Sequence, residues 1–234
     1  MYQKAHKLDC QVDEDDFAEE SPLPKAAYHF LHFLPPERIL YVRNAKIKYA
    51  IWYDTCMRIL IIYGSLNSDS INKALAKTLA SLAPTGVQVE LIGIDGFPLF
   101  SKDLEKQGPL QIALDYKEKI KSADGVIIAT PEYNRSIPGA LKNALDWISR
   151  DGQPWAGKPV GVVGASDGIR GASFAQYDLK RMLTYWDAHV LGQPEMFVGE
   201  LNKKITDGLV SDEKTKEYIV RYMEKFKAHI ENLK

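Results

Sequence analysis

Four short segments built almost entirely of aliphatic residues constrain the fold of this chain more than any other feature. They are RILIIY (58–63), VQVELIGI (87–94), DGVIIAT (124–130) and PVGVVGA (159–165), and a weaker fifth, AHVLG (188–192), follows them. A strand that is covered on both faces is expected to be apolar throughout and rich in Val and Ile. These segments therefore predict a buried, parallel β-sheet.

Helical patterns alternate with the predicted strands. Apolar residues recur at spacings of three and four in 71–83, 110–123, 139–150, 172–186 and 212–233, and Ser211 is the predicted N-cap of the last helix. Alternation of this kind predicts an α/β fold, a doubly wound five-stranded parallel sheet with helices on both faces. Right-handed crossovers between five strands favour the flavodoxin-like order 2-1-3-4-5.

The first 56 residues differ from the rest of the chain. DCQVDEDDFAEESPLP is acidic and poor in aliphatic residues, and YHFLHFLPP is a short apolar run that ends in two prolines. We predict an N-terminal extension over 1–56, either a loosely ordered arm or a partner-packing segment with a helix near 28–34. The regular pattern begins at Met57, and residues 57–234 are long enough for one domain.

Charge and cysteine content exclude several classes of protein. The formal net charge is −1, so we expect no nucleic acid partner, and no apolar run approaches the roughly 20 residues of a membrane-spanning helix. The only cysteines are Cys10 and Cys56, so residues 57–234 cannot hold a disulfide or a thiolate metal site. This cysteine usage is typical of a reducing compartment, and we expect a cytoplasmic protein without a metal site.

Polar loops follow predicted strands 1, 3 and 4. They read GSLNSDSIN (64–72), PEYNRSIP (131–138) and SDGIRG (166–171). In a doubly wound sheet, ligands bind beyond the carboxyl ends of the strands, where the strand order reverses. We therefore expect the three loops to share one edge of the sheet and to form the binding site.

The loop 64–72 is suited to a single phosphate group. Ser65, Asn67, Ser70 and Asn72 offer hydroxyl and amide groups, and the loop leads into a helix N-terminus, which favours anions. It lacks both G-x-x-x-x-G-K-[ST] and G-x-G-x-x-G, so neither a nucleoside triphosphate nor a dinucleotide pyrophosphate is indicated. The alternative is a capped helix start without a ligand.

The loop 131–138 is suited to a flat ring. Pro131 and Pro138 restrict its backbone, so little conformational entropy remains to be lost on binding. Tyr133 offers an aromatic face, and Asn134 can both donate and accept hydrogen bonds. Taken alone, Glu132 is more typical of an ion-pairing surface acid than of a catalytic acid.

The two stretches GSLNSDSIN and PEYNRSIPGALKNALDW resemble the NADPH-dependent FMN reductase family, which includes quinone, chromate and azo reductases. The resemblance extends over residues 57–234 and implies a flavodoxin-like domain with non-covalent FMN. It also implies NADPH or NADH as co-substrate and a homodimer or homotetramer. The implied function is ping-pong electron transfer from reduced nicotinamide through flavin to a small-molecule acceptor, namely a quinone, azo compound, metal oxyanion or free flavin.

The resemblance also implies which residues contact the cofactor. The phosphate and ribityl end would be held by Ser65, Ser70, Ile71 and Asn72, and we add Asn67 because its amide lies in the same loop. The isoalloxazine would be lined by Pro131, Glu132, Tyr133, Asn134 and Ser136, and closed on its far side by Ser166, Asp167 and Gly168. No catalytic side chain is implied, because the hydride chemistry belongs to the flavin. One departure is that many relatives carry Arg where this chain has Asn67.

Two other functions are consistent with parts of the sequence. GASDG (164–168) matches the G-x-S-x-G of a serine hydrolase, with Ser166 as nucleophile, His229 as base and Asp207 or Asp212 as third member. A non-catalytic electron carrier or redox sensor would also bind flavin. The extension holds 7 of the 30 basic residues and 9 of the 31 acidic residues, which leaves 23 basic and 22 acidic residues in 57–234. This nearly neutral charge argues against a dedicated electron carrier.

Overall fold

The computed structural model describes residues 41–44, 47–50 and 56–234. The strands Tyr41–Asn44 and Ile47–Ala50 pair in an antiparallel hairpin that the sequence did not predict. The rest of the predicted extension, including the helix near 28–34, lies outside the described residues. The chain divides into two compact units, of which Met57–Lys234 carries the predicted loops.

The larger unit is built on a parallel sheet. Its strands are β1 (Met57–Tyr63), β2 (Val87–Ile92), β3 (Gly125–Thr130), β4 (Pro159–Ala165) and β5 (His189–Val190). They are arranged in the order β2-β1-β3-β4-β5. This order is the predicted one, and the flavodoxin-like fold class is confirmed.

The fifth strand position is shared by two short segments. β5 pairs with Pro159 and Val160 at the start of β4, whereas β6 (Met196–Val198) pairs with Val163–Ala165 at its end. The fifth strand predicted over 188–192 is therefore present but shorter, and β6 is a sixth strand that the sequence did not predict. Gly192 and Pro194 separate the segments, and Pro194 has no N–H to donate to a ladder.

The helices of the larger unit are α1 (Ile71–Ser81), α2 (Lys102–Glu105), α3 (Gln111–Ser122), α4 (Gly139–Ile148), α5 (Ser173–Tyr185) and α6 (Glu213–Glu231). The five long helices match the predicted patterns, with ends shifted by at most two residues. A 3₁₀ turn (Leu201–Lys204) and the strands β7 (Ile205–Thr206) and β8 (Leu209–Val210) precede α6. These elements and α2 are too short for periodicity to reveal.

The N-cap of α6 is Asp212, so the prediction of Ser211 is wrong. Asp212 Oδ2 accepts hydrogen bonds from the Thr215 backbone N–H at 2.9 Å and from the Thr215 hydroxyl at 2.6 Å. A carboxylate in this position also interacts favourably with the helix dipole.

No helix in the described part of the chain is long and apolar enough to cross a membrane.

Helices cover both faces of the sheet. Ile59 and Ile61 of β1 pack in the core that contains α1 and α6, whereas Leu60 and Ile62 pack in the core that contains α3, α4 and α5. All four side chains are at most 1% exposed. Because successive residues of a strand face opposite sides, a strand with two cores must be apolar throughout.

Candidate functional site

The three predicted loops leave the sheet at one edge. β3 lies between β1 and β4, and their last residues are in register, with Tyr63 opposite Ala129 and Thr130 opposite Gly164. The Gly64 N–H donates to the Ala129 carbonyl at 2.8 Å and extends this pairing into the first loop. The chain reverses direction across the sheet between β1 and β3, so the loops meet where ligands of such sheets bind.

The first loop is organised by its own polar side chains. Ser65 Oγ accepts from the Asn67 N–H at 3.3 Å, and Asn67 Oδ1 accepts from the Asp69 N–H at 3.2 Å. Ser70 is the N-cap of α1, and its Oγ accepts from the Lys73 N–H at 3.2 Å. The first turn of α1 has no acidic residue, so the positive end of its dipole is not neutralised within the helix.

Asn72 connects the first loop to β4. Its side chain is 1% exposed, its Oδ1 accepts from the Ala165 N–H at 2.9 Å, and its Nδ2 donates to the Ala165 carbonyl at 3.0 Å. Both ends of the amide are therefore used within the protein. The backbone N–H groups of Ile71 and Asn72, in the first turn of α1, have no intrahelical partners and can serve an anion.

The second loop ends in a tight turn. Tyr133 and Ser136 exchange two backbone hydrogen bonds of 3.0 Å, and the residues between them, Asn134 and Arg135, have φ values of 52° and 63°. These are the left-handed φ values of a type I′ turn. Tyr133 is 59% exposed at the base of this turn. The tip of the PEYN loop is therefore a defined turn that displays an aromatic ring.

Glu132 caps α5, although this helix begins only at Ser173. Its Oε2 accepts from the backbone N–H groups of Phe174 at 2.9 Å and Ala175 at 3.1 Å, in the first turn of α5. Ala172, at the N-cap position, has no side-chain acceptor. The carboxylate thus takes the place of a capping residue, a role that the sequence does not predict for Glu132.

A second contact joins the same two elements. The Ser136 hydroxyl donates to Asp178 Oδ2 at 2.6 Å, on the second turn of α5. Together, Glu132 and Ser136 fix both ends of the type I′ turn to α5. Sequence reasoning missed Asp178, and no local pattern could have revealed it, because it lies 42 residues from its partner.

The third loop is organised around Ser166. Its hydroxyl donates to the Gly168 carbonyl at 2.9 Å and accepts from the Gly171 N–H at 3.1 Å. Its backbone N–H donates to the Val198 carbonyl of β6 at 3.1 Å. Asp167, Gly168 and Ile169 are exposed at the tip of the loop. Ser166 therefore determines the shape of the loop.

Each loop presents a large apolar side chain to solvent. Leu66 is 57% exposed, Tyr133 is 59% exposed and Ile169 is 84% exposed, and they come from the first, second and third loop respectively. Apolar groups gathered at one edge of a soluble domain mark a binding surface. With the N-terminus of α1 beside them, these residues fit a ligand that has a flat apolar ring and an anionic tail, as FMN has.

The geometry rules out the hydrolase alternative. Ser166 follows the carboxyl end of β4, whereas His229 Nε2 lies 2.8 Å from the carbonyl of His189, which pairs with Pro159 at the amino end of β4. The seven residues of β4 span roughly 20 Å at the rise of a strand. Ser166 and His229 therefore cannot form a catalytic pair, and Asp212 caps α6 instead.

Tyr116 is a titratable group near the ends of β1 and β2. Its hydroxyl donates to the Gly93 carbonyl. Burial, with a smaller electrostatic contribution from the nearby Asp95, raises the pKa of Tyr116 to about 12. Tyr116 therefore stays protonated at neutral pH and acts as a hydrogen-bond donor between α3 and the loop after β2.

The chain is similar to known flavin-dependent reductases. The family model of NADPH-dependent FMN reductase matches residues 57–203. A 2-hydroxy-1,4-benzoquinone reductase of Burkholderia sp. is 42% identical over 177 residues, which cover 74% of this chain and 96% of that protein. The quinone reductase of Escherichia coli K12 is 36% identical over 183 residues, which cover 76% and 97%.

A solved structure shows the same fold at similar identity. The flavoenzyme NAD(P)H:(acceptor) oxidoreductase FerB from Paracoccus denitrificans is 36% identical, with a TM-score of 0.68, over 75% of this chain and 98% of that one. The family match, the identity to these relatives and the shared fold point to one conclusion. The chain belongs to the NADPH-dependent FMN reductase family and is an oxidoreductase that uses FMN, with NAD(P)H as electron donor.

Proposed function

We propose that the protein is an NAD(P)H:quinone reductase that transfers electrons through FMN by a ping-pong mechanism. The observation that carries this proposal is the group of exposed apolar side chains, Leu66, Tyr133 and Ile169, beside the N-terminus of α1. Quinones are the favoured acceptors because two relatives above 35% identity are named for quinone reduction. Azo compounds, metal oxyanions and free flavin are further acceptors of the same kind.

We assign the phosphate and ribityl end of FMN to the first loop. The backbone N–H groups of Ile71 and Asn72 would bind the phosphate, together with the hydroxyls of Ser65 and Ser70 and the amide of Asn67. Support comes from the absence of an acidic residue in the first turn of α1, which leaves its dipole available to an anion.

We assign the isoalloxazine to the other two loops. The proposed contacts are Pro131, Glu132, Tyr133, Asn134 and Ser136 on one side and Ser166, Asp167 and Gly168 on the other. Glu132, Ser136 and Ser166 would act mainly by holding the loops, since their side chains are engaged with α5 and with the third loop. Tyr133 and the backbone of the other assigned residues of the second loop would contact the ring directly.

The redox chemistry, hydride uptake from reduced nicotinamide and delivery of electrons to an acceptor, is what FMN supplies when bound. The protein positions both substrates at one open edge of the sheet. Because the three loops leave the sheet at one edge, donor and acceptor would occupy the same place in turn. This alternation is the structural basis of the proposed ping-pong mechanism.

We also propose a cytoplasmic homodimer or homotetramer in which residues 57–234 form the complete reductase domain. Tyr177 and Tyr185 on α5 are 54% and 84% exposed, and such aromatic side chains are enriched at subunit contacts. Light scattering of the purified protein would measure the mass, and a monomer would contradict this part of the proposal.

Purified protein is expected to be yellow and to absorb in the blue, both as the full chain and as residues 57–234. Anaerobic addition of NADPH should bleach this absorbance, and a quinone should restore it, because the electrons pass through one bound flavin. Steady oxidation of NADPH in the presence of a quinone would indicate an enzyme, whereas slow turnover would indicate a sensor. A colourless protein that cannot be loaded with FMN would refute the proposed function.

Replacing both Tyr133 and Asn134 by alanine is expected to weaken FMN binding about tenfold, since an aromatic contact and a turn residue are lost. Fluorescence quenching during FMN titration of the apoprotein measures the effect. Leu99→Ala is the matched control, because Leu99 is also an exposed apolar residue, at 86%, but lies outside the three loops. Equal affinity in the double variant and the control would contradict the assigned ring site.

A further inference from the structure

Two arginines from different loops flank one aromatic ring at the edge of the proposed flavin site. The guanidinium carbon of Arg135, in the second loop, lies 5.2 Å from the centroid of Phe174, and that of Arg170, in the third loop, lies 6.0 Å from it. Phe174 is 40% exposed in the first turn of α5. One arginine from each of the two loops that would line the isoalloxazine therefore lies against the same ring.

Neither cation is neutralised within residues 56–234, where no carboxylate lies within ion-pairing distance of Arg135 or Arg170. Arg181, on the same helix as Phe174, differs because it pairs with Asp178 at 3.6 Å. The carboxylate of Glu132, which precedes Arg135 by three residues, is engaged with the N-terminus of α5. Both guanidinium groups are therefore available to an anion, and an anion that contacted both would be held by charges from two different loops.

Arg135 also has an unfavourable backbone conformation. Its φ of 63° lies in the left-handed region, at the second central position of the type I′ turn, where glycine is favoured. An arginine here costs conformational energy that glycine would not. Residues kept in such conformations concentrate at functional sites, so the side chain of Arg135 is a candidate for a role of its own.

We propose that Arg135 and Arg170 form a clamp for the phosphate groups of the reduced nicotinamide nucleotide. This inference rests on the proposed function, since the nucleotide must bring its nicotinamide to the same three loops. NADH carries a diphosphate and NADPH carries an additional phosphate, whereas the nicotinamide ring has no negative charge. Guanidinium groups bind phosphate through paired, charge-assisted hydrogen bonds, so the clamp would determine donor affinity and favour NADPH.

The test uses Arg135→Gly, Arg170→Gln and the double variant in the FMN-loaded enzyme. Each single change is expected to raise the KM for NADPH about tenfold and the double change about a hundredfold, with kcat nearly unchanged. The Tm of Arg135→Gly should equal or exceed that of the wild type, because glycine suits the turn. Arg181→Gln is the matched control and should leave the KM unchanged.

A donor without phosphates separates the clamp from other effects. The rate with 1-benzyl-1,4-dihydronicotinamide should be the same in all variants, since this donor offers nothing for the arginines to bind. An unchanged KM for NADPH, an equal loss with both donors, or a fall in flavin content would overturn the clamp. Failure of the proposed function is distinguishable, because the wild type would then oxidise neither donor.

Discussion

Replacing Glu132 by alanine is expected to lower the free energy of unfolding by about 1 to 2 kcal/mol and to weaken FMN binding at least about tenfold. The substitution removes the acceptor of the Phe174 and Ala175 N–H groups, and Ala172 at the N-cap cannot replace it. It also removes a negative charge from the positive end of the α5 dipole. The second loop then loses one of its two ties to α5, so its turn is less well positioned for a ligand.

Two conservative variants test this explanation of Glu132. Glu132→Gln retains a side-chain oxygen at the same distance from the backbone, so it should keep most of the stability and the FMN affinity. Glu132→Asp is shorter by one methylene group and should behave more like alanine. Chemical denaturation of the apoprotein and FMN titration measure the two effects separately. If Gln were as damaging as Ala, the charge rather than the hydrogen bonds would explain the role of Glu132.

The sheet was predictable because its central strands are buried on both faces. Every residue of β3 and β4 is buried, so their sequences carry the pattern without interruption. The strands that pair with the outer side of β4 were not predictable in the same way. β5 and β6 have two and three residues, too few for any period, and only their pairing with opposite ends of β4 defines them.

The candidate site follows from the sequence as a set of loops but not as a network of contacts. Topology alone brings the ends of β1, β3 and β4 together, so the loops could be identified from the strand pattern. Glu132 and Asn72 instead bind backbone groups that lie 42 and 93 residues away. Every non-proline residue has a backbone N–H, so the sequence contains no signal that marks which one will be the partner.

Gly171→Ala is expected to have the largest effect on the fold, a loss of more than about 4 kcal/mol in the free energy of unfolding. An added Cβ would lie 2.3 Å from the carbonyl carbon of Phe197 and 2.4 Å from the backbone nitrogen of Val198. Both atoms belong to β6, which is held in the sheet and cannot move as a side chain can. The φ of Gly171 is also +58°, which alanine rarely adopts.

Gly168→Ala, in the same loop, is the matched control. Apart from its two chain neighbours, no described residue has a heavy atom within 4 Å of its added Cβ, so the free energy of unfolding should change by less than about 0.5 kcal/mol. Soluble yield and thermal melting followed by circular dichroism compare the two variants, and a Gly171→Ala protein that melts like the wild type would contradict the argument. Because Gly168→Ala leaves the fold intact, any fall in its FMN affinity would report a clash with the ligand itself. The pair therefore separates the part of the third loop that holds the sheet from the part that we propose to face the flavin.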